Sequence, residues 1–228
     1  MIVIATASNR RHFADALAKE RVPADGLEAS GRLTILDAET ILSKILVSET
    51  PSWDRFDAVV GDLVRQIKGR AGNSGLRAYG EMVDLLWKSG RLEAATRLEE
   101  FWNRLLEKSQ FSLFCAYTVQ HLFEGAPDAS LREMLRTHSH LLPVRSNGEL
   151  TRSVDRAMAE ILGEASSRAL LPLIRASRVS SAALPSSEAT VLWLRTHLPA
   201  YAEAVLGRAR GYYEEECART SSEERPSK

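Results

Sequence analysis

The sequence predicts an α/β chain with a mostly parallel sheet and crossover helices, followed by an all-helical C-terminal region. Three observations carry this. From Arg77 to Tyr117 a β-prone run ending at Gly80 is followed by two amphipathic stretches and a second β-prone run, Phe111–Tyr117. Strand, helix, helix, strand is the repeating unit of a parallel sheet, because parallel neighbours need a crossover of a dozen or more residues. Upstream, two further apolar runs alternate with helical periodicity. Downstream of about residue 147, only helical spacing remains.

The elements follow in order. Met1–Thr6 is apolar from the first residue and reads as a buried strand, MIVIAT. Ser8 or Asn9 can cap a helix through Phe13, Ala16 and Leu17. Pro23 and Gly26 are expected to end it. Gly31–Asp37 reads as a second strand, with Asp37 at its junction with a helix carrying Ile41, Leu42, Ile45 and Leu46. Pro51 and Ser52 start another helix, whose buried stripe is Phe56, Val59, Val60, Leu63, Val64 and Ile67. Lys68–Gly75 is turn-rich and leads into the Leu76–Tyr79 strand.

The central unit has the densest predicted core. Met82, Val83, Leu85, Leu86 and Trp87 form one amphipathic segment closed by Gly90. Leu92, Ala95, Leu98, Phe101, Trp102, Leu105 and Leu106 then recur at three- and four-residue spacings, the stripe of a buried helix face. Beyond Tyr117, short helices are expected around Val119–Leu122 and Pro127–Leu135, and Pro143–Gly148 reads as a linker. Helical clusters follow at Val154–Leu162, at Leu170–Ile174 around Pro172 (a start or a kink), at Val191–Leu194 and from Pro199 to Leu206. The predicted organisation is a domain over residues 1–145, a helical region over 146–219 and a disordered polar tail over 220–228.

Composition excludes several classes. Thirty basic and thirty acidic residues give zero net charge, so no general cationic excess draws the chain to nucleic acid or an anionic membrane. An Arg-bearing segment at Pro185–Arg210 is a poor DNA reader because Glu214–Glu216 follows at once. No apolar run reaches the ~18 residues of a membrane span, and Met1–Ala5 lacks the length and basic flank of a signal peptide. Two distant cysteines, Cys115 and Cys217, do not suggest a disulfide scaffold. The expected location is the cytoplasm.

The motif GEMVDLLW, then RLEEFWNRLLEKSQFSLFCAY and the short THSHLLP, resemble the MEDS family, the sensory domain named for methanogens, methylotrophs and the dichloromethane-responsive regulator DcmR. IATASNRRHFADAL and GRLTILDAETIL resemble its earlier strand–helix segments. The resemblance covers roughly residues 1–143. It implies a degenerate RecA/KaiC-type domain that senses rather than hydrolyses. The family's strand–helix unit ahead of the Met1–Thr6 segment has no counterpart here. That absence predicts an unpaired edge or gap, explained by a misplaced start codon, a sheet completed by a partner, or a rearranged sheet.

Candidate site residues are few. A phosphate cradle needs G-x-x-x-x-G-K-[ST] between strand and helix, and no such string occurs. The Gly69–Gly75 stretch follows a helix and precedes a strand, the wrong polarity for phosphate binding. Glu81, after Gly80 at the carboxyl end of a strand, is either a ligand-contacting or relaying carboxylate, or a dipole-stabilising residue of its own helix. Trp87 and Asn103 lie in the family motif, Trp87 with a core role as its simpler reading, Asn103 and Glu99–Glu100 with a solvated face or one internal hydrogen bond. His138 and His140 share a face only in an extended segment, and zinc would need further ligands. Cys115 reads as core filler. No catalytic residue, metal or cofactor is expected, because neither G-x-S-x-G nor H-E-x-x-H is present.

The resulting expectation is a non-enzymatic sensory protein. It would bind a small ligand or partner and signal to a histidine kinase or transcription regulator, without membrane or direct nucleic-acid contact, with a homodimer among the possible assemblies. The alternatives are a residual KaiC/RecA-like ATPase and a structural protein-binding adaptor.

Overall fold

The computed structural model describes residues 1–71, 75–118, 123, 138, 147–177 and 186–223. The chain divides into two compact units, Met1–Thr118 and Val119–Lys228.

The first unit is built on a parallel sheet of four strands, β1 (Ile2–Ala5), β2 (Thr34–Asp37), β5 (Arg77–Gly80) and β6 (Ser112–Cys115), in the order β2-β1-β5-β6. In register, Val3 lies opposite Ile35 and Tyr79, and Tyr79 opposite Phe114. All four residues of β1 are buried, which is why this strand reads as a continuous apolar run rather than an alternating one. It is hydrogen-bonded on both sides, so no gap flanks it. Among the described residues, the sheet's edges are β2 and β6.

Helix α1 (Ala7–Lys19) follows β1 directly. Its N-cap position is Thr6, without a side-chain capping bond; Ser8 and Asn9 lie inside the first turn. It ends before Arg21, which takes a left-handed φ of 56°. Pro23 and Gly26 do not terminate it: Pro23 precedes a separate helix, α2 (Ala24–Ala29), where its fixed φ suits a helix start. Phe13, Leu17 and Leu27 pack over Val3, Ala5 and Leu33.

Asp37 ends β2 and caps α3 (Ala38–Ile45). Its Oδ1 accepts from the Thr40 amide and the Thr40 hydroxyl, each at 2.8 Å. These bonds hold its carboxyl below the usual carboxylate range, with the nearby Arg10 adding a smaller effect. Asp37→Ala is expected to cost about 1 kcal/mol at neutral pH. A depressed folded-state pKa contributes stability above the unfolded value near ~4 and loses it as pH falls through the folded one. The gap between wild type and variant in urea melts should therefore narrow in acid.

A two-stranded hairpin not foreseen from the sequence, β3 (Leu46–Val47) with β4 (Thr50–Pro51), turns through Ser48 and Glu49, both at positive φ. Such turns usually announce themselves through Asn-Gly or Asp-Gly, which are absent here. The next helix is interrupted: α4 (Trp53–Phe56) passes into a π turn (Asp57–Gly61) before α5 (Asp62–Ala71). Arg65 bridges Asp57 and Asp62 across this turn. α5 runs to Ala71, so the first part of the expected Lys68–Gly75 loop is helical.

β5 leads to α6 (Met82–Lys88), a turn at Gly90 with φ 74°, and α7 (Leu92–Ser109). The predicted stripe Ala95, Leu98, Phe101, Trp102 and Leu105 is buried, with Leu92 and Leu106 at its half-exposed margins. Gln110 closes α7 at φ 43°, and Lys68 donates to the carbonyls of Ser109 and Gln110 there.

Apart from Phe123, His138 and Leu198, the described residues of the second unit are helical or join helices: α8 (Asn147–Leu162), α9 (Glu164–Ser177) after Gly163 at φ 85°, α10 (Ser186–His197) and α11 (Pro199–Glu223). The expected linker ends earlier than predicted, since Asn147 and Gly148 belong to α8. Pro172 lies inside α9. α10 is buried on nearly all sides from Ser187 to Arg195, and α11 packs Val205, Leu206 and Ala209 inward. α11 continues to Glu223. The short helices expected between Val119 and Leu135 lie outside the described residues, as do 224–228. Among the described residues, no helix is long and apolar enough to cross a membrane.

Candidate functional site

The chain passes from β1 to β2 on one side, then returns across β1 to β5 on the other. The crevice at the carboxyl ends of β1 and β5 is therefore the sheet's switch point, where open α/β sheets take their ligands. Thr6 and the first turn of α1 form one wall, and Glu81, just past β5, forms the other.

Glu81 is 3% exposed and its carboxylate is turned across the crevice. Oε2 accepts from the Thr6 amide at 2.7 Å; Oε1 accepts from Asn9 Nδ2 and the Tyr79 hydroxyl, both at 2.6 Å. Its own amide donates to the Ile4 carbonyl at 3.0 Å, extending the β1–β5 ladder by one rung. Glu81 occupies the N-cap position of α6 but makes no side-chain cap there. Its charge faces α1 instead, a helix with no acidic residue in its first turn. The positive end of α1 is thus met by a carboxylate from the neighbouring strand. Burial pushes the Tyr79 phenol well up, and the hydrogen bond and charge of Glu81 add to it. At the end of β2, Arg10 pairs with Asp37 at 2.8 Å.

A second buried group stands at the end of β6. Asp84 on α6, 5% exposed, accepts from the Thr118 amide at 2.8 Å and hydroxyl at 3.0 Å, and pairs with Lys88 at 2.7 Å. Glu99 on α7, 3% exposed, accepts from the Tyr117 hydroxyl and lies 3.8 Å from Cys115 Sγ. Burial first, then the Glu99 charge, pushes both the Cys115 thiol and the Tyr117 phenol well above their ordinary values. Both are neutral donors at pH 7, and a thiol held this way is a poor nucleophile.

Of the residues singled out from sequence, Glu81 lies in the crevice. Trp87 is buried beneath the second group, edge-on to Tyr117 with ring centroids 6.3 Å apart. Asn103 is half-buried on α7, and His138 is partly buried in the second unit. His140 lies outside the described residues. Sequence reasoning passed over Asp84, Tyr79 and the Arg10–Asp37 pair, read Asn9 only as a possible helix cap, and gave Glu99 a solvated face or one bond. A signal existed for Glu99: it falls four residues after Ala95 and three before Trp102, on the buried stripe itself.

A family model described as the MEthanogen/methylotroph, DcmR Sensory domain matches residues 1–139. No curated protein and no solved structure matches the chain. The match spans more than half of the 228 residues and contains every element of the sheet; the chain belongs to the MEDS family of sensory domains.

Proposed function

We propose that this chain is a non-enzymatic sensor whose α/β domain has given up nucleotide phosphate binding. The Glu81 carboxylate at the amino end of α1 carries the reading. In a doubly wound sheet that position favours a phosphate, through the helix dipole and free amides. Here the chain supplies its own anion. Asp84 and Glu99 add two more buried carboxylates along the same edge, a poor setting for a triphosphate. This fits a degenerate RecA/KaiC-type domain without catalysis. A small ligand or protein partner reaching the edge would redistribute the hydrogen bonds of Glu81 and bias α1 and α6, with the helical region as output toward a histidine kinase or transcription regulator.

The test is a thermal-melt screen of the purified chain. Saturation at about a hundred times Kd stabilises by roughly 2.7 kcal/mol, a shift of several degrees at this size. ATP–Mg is expected to give no shift, and small apolar or halogenated compounds are the first candidates for a positive one. Stabilisation by ATP–Mg overturns the loss of phosphate binding and favours the residual ATPase.

A further inference from the structure

Along the solvent face of α7, Glu93, Arg97, Glu100, Arg104 and Glu107 follow one another at spacings of four, three, four and three residues. That spacing places all five on one stripe, and all five are exposed. Alternating charges on a helix ordinarily neutralise one another through i,i+3 and i,i+4 ion pairs. None of these five does so, and none has an ion-pair partner among the described residues. The cations lie against aromatic rings instead. The Arg104 guanidinium is 3.9 Å from the Trp53 ring centroid, Lys108 Nζ is 4.9 Å from the same centroid, and Arg97 is 5.8 Å from that of Phe101. The stripe therefore presents three carboxylates and two guanidinium groups whose ionic partners are missing within the described chain.

The geometry points to a second copy of this chain as the partner, docked antiparallel along α7. A two-fold axis level with residue 102 places positions equidistant from it opposite one another. Arg104 and Glu100 stand two residues either side, and Arg97 and Glu107 five either side. Arg104 then meets Glu100 of the partner subunit, Arg97 meets Glu107 of the partner subunit, and symmetry repeats both pairs, as an isologous contact requires. The axis falls near Arg104 and Trp53, the residue types that most often anchor such interfaces. A polyanion such as single-stranded nucleic acid fits less well. It would meet the acidic residues that alternate with every arginine.

The experiment is sedimentation velocity on the full chain from about 1 to 100 µM, with the unit-1 fold of each variant verified by Trp fluorescence. Wild type is expected to dimerise, more weakly in high salt. Arg104→Glu and Glu100→Arg should each weaken the dimer at least about tenfold, because like charges then face one another twice. Mixing the two variants should restore association as a heterodimer, since each reversed side chain then faces one of opposite charge across the axis; that outcome is independent of any loss of stability. A wild-type chain that stays monomeric, a dimer unmoved by either reversal, or variants that fail to associate on mixing overturns the assignment. So does a monomer that binds an oligonucleotide through Arg104. None of these outcomes depends on ligand binding at the sheet edge.

Discussion

Glu81→Ala is expected to destabilise the first unit by about 3 kcal/mol. The carboxylate satisfies three donors: the Thr6 amide, the Asn9 side chain and the Tyr79 hydroxyl. Each buried donor left without an acceptor costs about 1–3 kcal/mol. Thr6 and Asn9 are partly exposed and can recover water, while removing a buried charge returns part of its desolvation cost. These offsets bring the sum down to about 3 rather than 5 or more. Glu81→Gln should lose about half as much. Its amide oxygen can serve Asn9 and Tyr79 together, but its NH2 then faces the Thr6 amide donor to donor. With roughly 2–4 °C per kcal/mol at this size, alanine should lower the melting temperature by about 6–12 °C. Three of the four tryptophans, Trp53, Trp87 and Trp102, lie in the first unit and report its unfolding. An alanine variant melting within ~2 °C of wild type would show that the crevice is not held by this carboxylate.

How much of this was legible in the sequence depends on the physical source of each signal. The sheet and its helices were readable because burial imposes period: IVIA is buried throughout, and Ala95, Leu98, Trp102 and Leu105 recur at helical spacing. Asp37 was readable as the strand–helix junction, while its capping bonds to Thr40 emerge only in the structure. The β3–β4 hairpin was not, because Ser48 and Glu49 adopt left-handed conformations that their side chains do not favour. The π turn at Asp57–Gly61 leaves the apolar spacing on either side nearly unchanged, so periodicity passes over it. The candidate site was only half legible. Glu81 stood out by its position after a strand. Its partners Thr6 and Asn9 are more than seventy residues away and meet it only because β1 and β5 pair in register. No local pattern encodes that meeting.

Trp102→Ala should be the most damaging single truncation, costing about 3–5 kcal/mol. The side chain is 1% exposed and stands edge-on to Phe56 at 5.1 Å between centroids, with Phe111 6.5 Å away. It also stands over the sheet: a side-chain carbon introduced at Gly80 would meet its Cζ2 at 3.7 Å, so the ring occupies the space above this glycine of β5. Alanine opens the space above Gly80 and removes two aromatic pairs, each worth about 0.5–1.5 kcal/mol beyond area burial. The hole has rigid walls, since Phe56 is anchored at the start of the π turn and Gly80 is in the sheet, so little collapse can offset it. Trp102→Phe keeps part of the volume and should cost about 1–2 kcal/mol. Against the roughly 5–15 kcal/mol of a whole domain, the alanine change consumes a large fraction of the margin. In urea, it should move the midpoint of the first unit far below wild type, with phenylalanine between them. Trp53→Ala supplies the contrast. That ring is half-exposed beneath Arg104 and Lys108, so its loss should cost less than half as much as the loss of Trp102. Equal midpoints for the two alanine variants would mean that the core is centred elsewhere than on α7 and β5.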